Sequence, residues 1–70
     1  MESYSINDIV SKKNMSVSEF VQHKLKEYQT VHGSFKVLDS GGLNYDLYEF
    51  ADGYVLKVEA SYGVISFEKV

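Results

Sequence analysis

Two different hydrophobic periodicities meet near Gly33. Before this glycine, apolar residues recur every three or four positions, which is typical of helices that bury one face. After it, apolar and polar residues alternate, which is typical of strands with one buried side. The pattern predicts a single α+β domain over residues 1–70, helical over 1–33 and folded into an antiparallel sheet over 34–70.

Each of the two predicted helices begins at a serine. Ser5 can accept a hydrogen bond from the first turn of one helix, and Tyr4 before it is expected to pack on that helix as a hydrophobic staple. Ser16 forms a capping box with Glu19 at the start of the other helix. The first helix is expected over about 6–13. The second is expected over Val17–His32, where the apolar side chains fall on one stripe.

Four strands are predicted after the helices, with glycine in every gap between them. The predicted strands are Ser34–Asp39, Leu43–Phe50, Tyr54–Ala60 and Val64–Val70. The predicted turns are Ser40-Gly41-Gly42, Asp52-Gly53 and Tyr62-Gly63. Because the apolar stripes of the helices need a surface to cover, we expect two layers. The predicted fold has two N-terminal helices packed on one face of a four-stranded antiparallel β-meander, in the order ααββββ.

The turns set a predicted strand register. With Asp52-Gly53 as a two-residue turn, Leu47 lies opposite Val58. With Ser40-Gly41-Gly42 as a three-residue loop, Phe35 lies opposite Leu47. The Tyr62-Gly63 turn, also taken with two residues, places Val58 opposite Phe67. All three registers agree on one inner face, made of Phe35, Val37, Leu43, Tyr45, Leu47, Leu56, Val58, Ala60, Ile65 and Phe67.

The same register leaves an apolar cluster on the opposite, outer face of the sheet. Tyr48, Phe50 and Val55 lie together there with Lys57 on their rim, and we predict that these four residues bind a partner. Three alternatives remain open: scattered surface apolar residues, a homodimer contact, or a β-bulge near Glu49 that turns Phe50 inward. The bulge is plausible because the predicted register places Glu49 on the inner face.

Composition narrows the classes of function. The net charge is −3, and the chain has no cysteine, so disulfides and thiolate metal sites are excluded. All seven basic residues are lysines, and residues 34–70 carry three lysines against six acidic residues. Nucleic acid is therefore the poorer partner for the sheet.

No group of residues in the sequence has the spacing of a catalytic, metal or cofactor site. His23 and His32 lie on different sides of the second helix, without carboxylates or cysteines at ligand spacing. No stretch has the length of a membrane span or the pattern of a secretion signal. We expect no enzymatic activity, no cofactor and no membrane partner, and we expect a cytoplasmic location.

The favoured function is a small non-catalytic protein-binding module that inhibits or regulates a larger protein. In its small size, acidity and lack of cysteine, the chain is similar to accessory proteins of phages and mobile elements. The alternative is a small nucleic-acid-binding regulator that uses the lysines of the helical half, Lys12, Lys13, Lys24 and Lys26. We also expect a homodimer or larger assembly, because partner burial is one remedy for a small core.

Overall fold

A five-stranded antiparallel sheet carries two helices on one face. The structure is a computed structural model that describes residues 1–39 and 44–70. Its elements are β1 (Glu2–Ser5), α1 (Ile6–Ser11), α2 (Val17–His32), β2 (Phe35–Asp39), β3 (Tyr45–Phe50), β4 (Val55–Ser61) and β5 (Val64–Lys69). The strand order is β1-β5-β4-β3-β2. The two edges are therefore β1 and β2, and the two helices connect them along the chain.

The prediction of two N-terminal helices on a four-stranded meander is wrong, because the chain begins with a strand. Tyr4 lies opposite Ile65 of β5, and its ring packs edge-on against Phe20 of α2 at a centroid distance of 4.9 Å. The sequence pattern assigned Tyr4 to a helix-entry contact instead. β1 runs to Ser5, and the helix that follows ends at Ser11, so α2 is the one long helix in the described part of the chain.

The predicted boundaries of α2 are confirmed, together with its capping box. The Ser16 hydroxyl accepts a hydrogen bond from the Glu19 backbone N–H at 3.1 Å, and the Glu19 carboxylate accepts one from the Ser16 N–H at 3.3 Å. Gly33 ends the helix with φ of +89°. A Cβ at this position would stand 2.8 Å from the Ala51 Cβ, so both the backbone and the packing require glycine here.

The predicted register of β3 is wrong by one residue against β4. Asp46, not Leu47, lies opposite Val58, because the turn contains three residues rather than two. The Phe50 N–H donates to the Tyr54 carbonyl at 2.9 Å and closes this loop, and Gly53 takes a φ of +93° within it. A one-residue shift turns every side chain of a strand to the opposite face.

The other two registers have different outcomes. The predicted pairing of β4 with β5 is confirmed, with Val58 opposite Phe67 and positive φ at both residues of the Tyr62-Gly63 turn. The predicted pairing of β2 with β3 is wrong, because Phe35 lies opposite Phe50 rather than Leu47. The predicted turn Ser40-Gly41-Gly42 and the inner-face residue Leu43 lie outside the described residues.

The core lies between the two helices and the inner face of the sheet. Its buried side chains are Ile9, Phe20, Leu25, Tyr48, Phe50, Leu56, Val58, Ile65 and Phe67. Tyr48 and Phe50 of this set were predicted to lie on the outer face. They are the inner residues of β3, where the prediction had placed Tyr45 and Leu47. The outer face of the sheet is left without a covering helix among the elements described.

Candidate functional site

The four residues predicted to bind a partner lie on two different faces of the sheet. Tyr48 and Phe50 are core residues, 8% and 2% exposed. Val55 and Lys57 lie on the outer face, as predicted, and are half-buried. The structure therefore places only Val55 and Lys57 together on a surface that a partner can reach.

Tyr45 and Leu47 of β3 lie on the outer face, although the predicted register had placed them on the inner face. Tyr45 lies opposite Glu59, and Leu47 lies opposite Lys57. Val70 joins them from the end of β5, where its N–H donates to the Val55 carbonyl at 2.9 Å. These residues border an open depression of about 420 Å³, lined by Tyr45, Leu47, Lys57, Glu68, Lys69 and Val70.

Lys57 is the central charge of the outer face. Its Nζ lies 3.7 Å from Glu59, 3.8 Å from Glu68, and 5.8 Å from the centre of the Tyr45 ring. The single positive charge of Lys57 thus lies near the two negative charges of Glu59 and Glu68, and it can balance only one of them. The methylene groups of Lys57 and the Tyr45 ring are apolar, and the Lys57 ammonium and the two glutamates beside them are charged. The surface is therefore amphipathic.

The outer face as a whole is acidic. Residues opposite one another in a sheet share a face, so Lys36 and Glu49 lie on the outer face together, with their charged atoms 3.5 Å apart. Asp39 lies opposite Leu47 and adds another carboxylate. Over the described strands, the face carries two lysines against four acidic residues, Asp39, Glu49, Glu59 and Glu68.

A second polar cluster fastens β1 to α2 on the inner side of the sheet. The Lys24 side chain is 11% exposed, and its Nζ donates to Glu2 Oε1 at 2.6 Å and to Glu27 Oε1 at 3.2 Å. The Tyr28 hydroxyl donates to Glu2 Oε2 at 2.9 Å. The Tyr4 hydroxyl donates to Glu2 and accepts from Lys24 at 3.2 Å.

The charges of this cluster are fixed near neutral pH. The hydrogen bond from Lys24 lowers the pKa of Glu2 to about 2, and burial raises the pKa of Tyr28 to about 12. Burial acts to lower the pKa of Lys24, but its hydrogen bonds to Glu2, Tyr4 and Glu27 outweigh that effect and raise the pKa above its usual value. Because a general acid or base works best with a pKa near the working pH, this arrangement suits anchoring rather than proton transfer.

His32 takes part in a third cluster, at the end of α2. Its Nδ1 lies 2.8 Å from Asp52 Oδ2, and its ring stacks on Tyr54 at a centroid distance of 3.9 Å. The hydrogen bond with His32 lowers the pKa of Asp52. The other carboxylate oxygen of Asp52 accepts from the Tyr54 N–H at 2.9 Å. This contact joins α2 to the three-residue loop between β3 and β4.

Within residues 1–39 and 44–70, no three histidine or acidic side chains come together as a metal site would require. Over the same residues, no helix is long and apolar enough to cross a membrane. No family model, no curated protein and no solved structure matches the chain.

The sequence contained one signal for the residues of the outer face that the prediction missed. Under the predicted register, Glu49 pointed toward the core, where an unpaired carboxylate is costly. Moving β3 by one residue brings Glu49 to the outer face beside Lys36, and turns Tyr45 and Leu47 outward with it.

Proposed function

We propose that this chain is a small non-catalytic protein-binding module that inhibits or regulates a larger protein in the cytoplasm. The observation that carries the proposal is the outer face, where Tyr45, Leu47, Val55 and Val70 lie beside Lys57 and its glutamates without a covering helix in the described structure. Apolar and aromatic residues with a charged rim are the usual composition of protein interfaces. The binding residues proposed are therefore Tyr45, Leu47, Val55 and Lys57, with Tyr48 and Phe50 left to the core.

The charge of the outer face favours a basic partner. Its two lysines are outnumbered by four acidic residues, and Lys57 already shares its charge between Glu59 and Glu68. A partner surface with lysine or arginine around an apolar centre would add cations beside Glu59 and Glu68, which share Lys57, and would be steered toward the face. The proposed partner is thus a folded protein with a basic, partly apolar surface.

Two of the four lysines named for the nucleic-acid alternative, Lys12 and Lys24, already contact carboxylates of the protein. Lys24 is largely buried and held by Glu2 and Glu27. Lys12 lies 3.6 Å from Asp8. Binding of phosphates by these two side chains would have to break contacts that the protein already makes.

The test is capture and direct binding with matched charge variants. Leu47→Asp places a carboxylate in the outer face, and Val31→Asp makes the same change on α2, where Val31 is 73% exposed. Proteins captured from the source cell by the wild-type chain are purified, and their affinity for both variants is measured by titration calorimetry. We expect Leu47→Asp to weaken binding at least about 30-fold, or ~2 kcal/mol, as for an interface hot spot.

The control variant should bind as the wild type does, and both variants should keep the wild-type circular dichroism spectrum. Binding that survives Leu47→Asp would contradict the proposal. So would binding that is lost equally in Val31→Asp. A captured nucleic acid whose affinity falls steeply with salt would favour the alternative function instead.

A further inference from the structure

Strand β2 forms an exposed apolar edge of the described sheet. Among the described strands, β2 pairs with β3 alone. Val37 is 57% exposed, and Lys36, Leu38 and Asp39 are exposed with it. An edge strand with accessible backbone groups and apolar side chains is a template for pairing with another strand.

The backbone of β2 shows which groups are directed outward. The Ala51 N–H donates to the Ser34 carbonyl at 2.8 Å, so the backbone N–H and C=O groups of Ser34 point toward β3. Hydrogen-bonded and non-hydrogen-bonded residues alternate along an antiparallel pair. Lys36 therefore also bonds toward β3, and the N–H and C=O groups of Phe35 and Val37 point away from it.

The opposite edge of the sheet is built differently. β1 has four residues, three of them polar, and it runs directly into α1. Its inner side chains, Glu2 and Tyr4, are held by Lys24 and Phe20. Short length and inward charge are common protections of sheet edges. Of the two edges, β2 is thus the one suited to accept a strand.

We propose that β2 pairs in antiparallel fashion with β2 of a second copy of this chain, forming a continuous ten-stranded sheet across a two-fold axis at Val37. In this register the two Val37 residues form a hydrogen-bonded pair and their exposed side chains pack together. The neighbouring register, centred on Lys36, would set two lysines directly opposite each other, which is unfavourable. Phe35 would lie opposite Asp39 of the second copy, beyond the irregularity that follows Val37. The new backbone hydrogen bonds are therefore confined to the two Val37 residues, and we expect affinity in the micromolar range or weaker.

Charge favours a second copy at this edge. β2 carries one lysine and one aspartate, so two β2 edges meet with no net charge between them. Two outer faces, by contrast, would each bring an excess of two negative charges. The inferred dimer therefore uses the edge and leaves the outer face free for a partner.

The test measures mass against concentration for the wild type and two lysine variants. Sedimentation equilibrium from about 1 µM to 1 mM should show the wild type passing from 8.0 kDa to twice that mass. Val37→Lys places like charges across the axis and should weaken dimerisation at least about tenfold. Val31→Lys, the same substitution on α2, should dimerise as the wild type does, and both variants should unfold at wild-type urea concentrations.

Hydrogen exchange locates the contact. In the wild type, the amide of Val37 should become protected as concentration rises, because the dimer pairs it with Val37 of the second copy. A wild type that stays at 8.0 kDa throughout would overturn the proposal. Equal dimerisation of Val37→Lys and the wild type would also overturn it, as would protection that grows at Ser3 and Ser5 of β1 instead.

Discussion

The orientation of β3 can be tested by truncating one residue on each of its faces. Phe50 is 2% exposed and contacts the rings of Phe35 and Tyr28 at centroid distances of 5.6 and 6.2 Å. Replacing a buried phenylalanine by alanine removes apolar contacts and leaves a cavity, at a cost of about 3–5 kcal/mol. Leu47 lies on the outer face and is half-buried, so Leu47→Ala should cost less than about 1 kcal/mol.

These costs are large relative to the stability of the domain. At roughly 0.05–0.15 kcal/mol per residue, a chain of this length has about 4–10 kcal/mol in total. Phe50→Ala should therefore lower Tm by about 15–30 °C or leave the chain unfolded, whereas Leu47→Ala should lower it by less than about 8 °C. Phe50→Leu keeps most of the volume and should cost about 1–2 kcal/mol, which keeps the comparison measurable.

The assay is urea unfolding followed by circular dichroism, with all variants at one low concentration. The register of the structure requires the Phe50 substitutions to be the costly ones. If Leu47→Ala lost more stability than Phe50→Ala, β3 would have the opposite orientation, and Leu47 rather than Phe50 would belong to the core. Equal losses would contradict the assignment of one inner and one outer face to this strand.

Three further substitutions test the anchors of the fold, each by urea unfolding. Ser16→Ala removes the hydroxyl that caps α2 and should cost about 1 kcal/mol, and an unchanged midpoint would contradict this cap. Gly33→Ala puts a Cβ 2.8 Å from Ala51 at a φ of +89° and should cost about 2 kcal/mol, more than alanine at the neighbouring, exposed Ser34. The pKa of Glu2 is about 2 in the folded protein against an ordinary value of 4.5, so its stabilising effect is full above pH 4.5 and is lost as pH falls toward 2. Glu2→Gln should flatten the stability profile over that range, and an unchanged profile would contradict the role of the Lys24 contact.

The sequence was informative where local chemistry determines the structure. The capping box of Ser16 and Glu19 marked the start of α2, and Gly33 marked its end, because both signals act within a few residues. The Tyr62-Gly63 turn predicted the pairing of β4 with β5 for the same reason. Each of these predictions depended on hydrogen bonds between near neighbours in the chain.

The errors arose where distant residues decide between local alternatives. Tyr4 suits a helix entry as well as a strand, and its pairing with Ile65 across the whole chain selects the strand. The Asp-Gly dipeptide allows two-residue and three-residue hairpin loops. Here the contact between Asp52 and His32 of α2 accompanies the longer loop, and it involves a residue 20 positions away. One added loop residue then reversed the assignment of the β3 side chains and, with it, half of the candidate site.

The proposed dimer and the proposed binding face reinforce each other. A two-fold axis that joins antiparallel edge strands runs perpendicular to the sheet, so both copies present their outer faces on the same side. A partner with two basic surfaces, or two linked partner domains, could then engage both faces at once, with an avidity gain of about 10²–10⁴ over one face. Val37→Lys should therefore leave the affinity for a monovalent partner unchanged while removing the gain for a bivalent one. Leu47→Asp should weaken both, and this difference separates the roles of the edge and of the outer face.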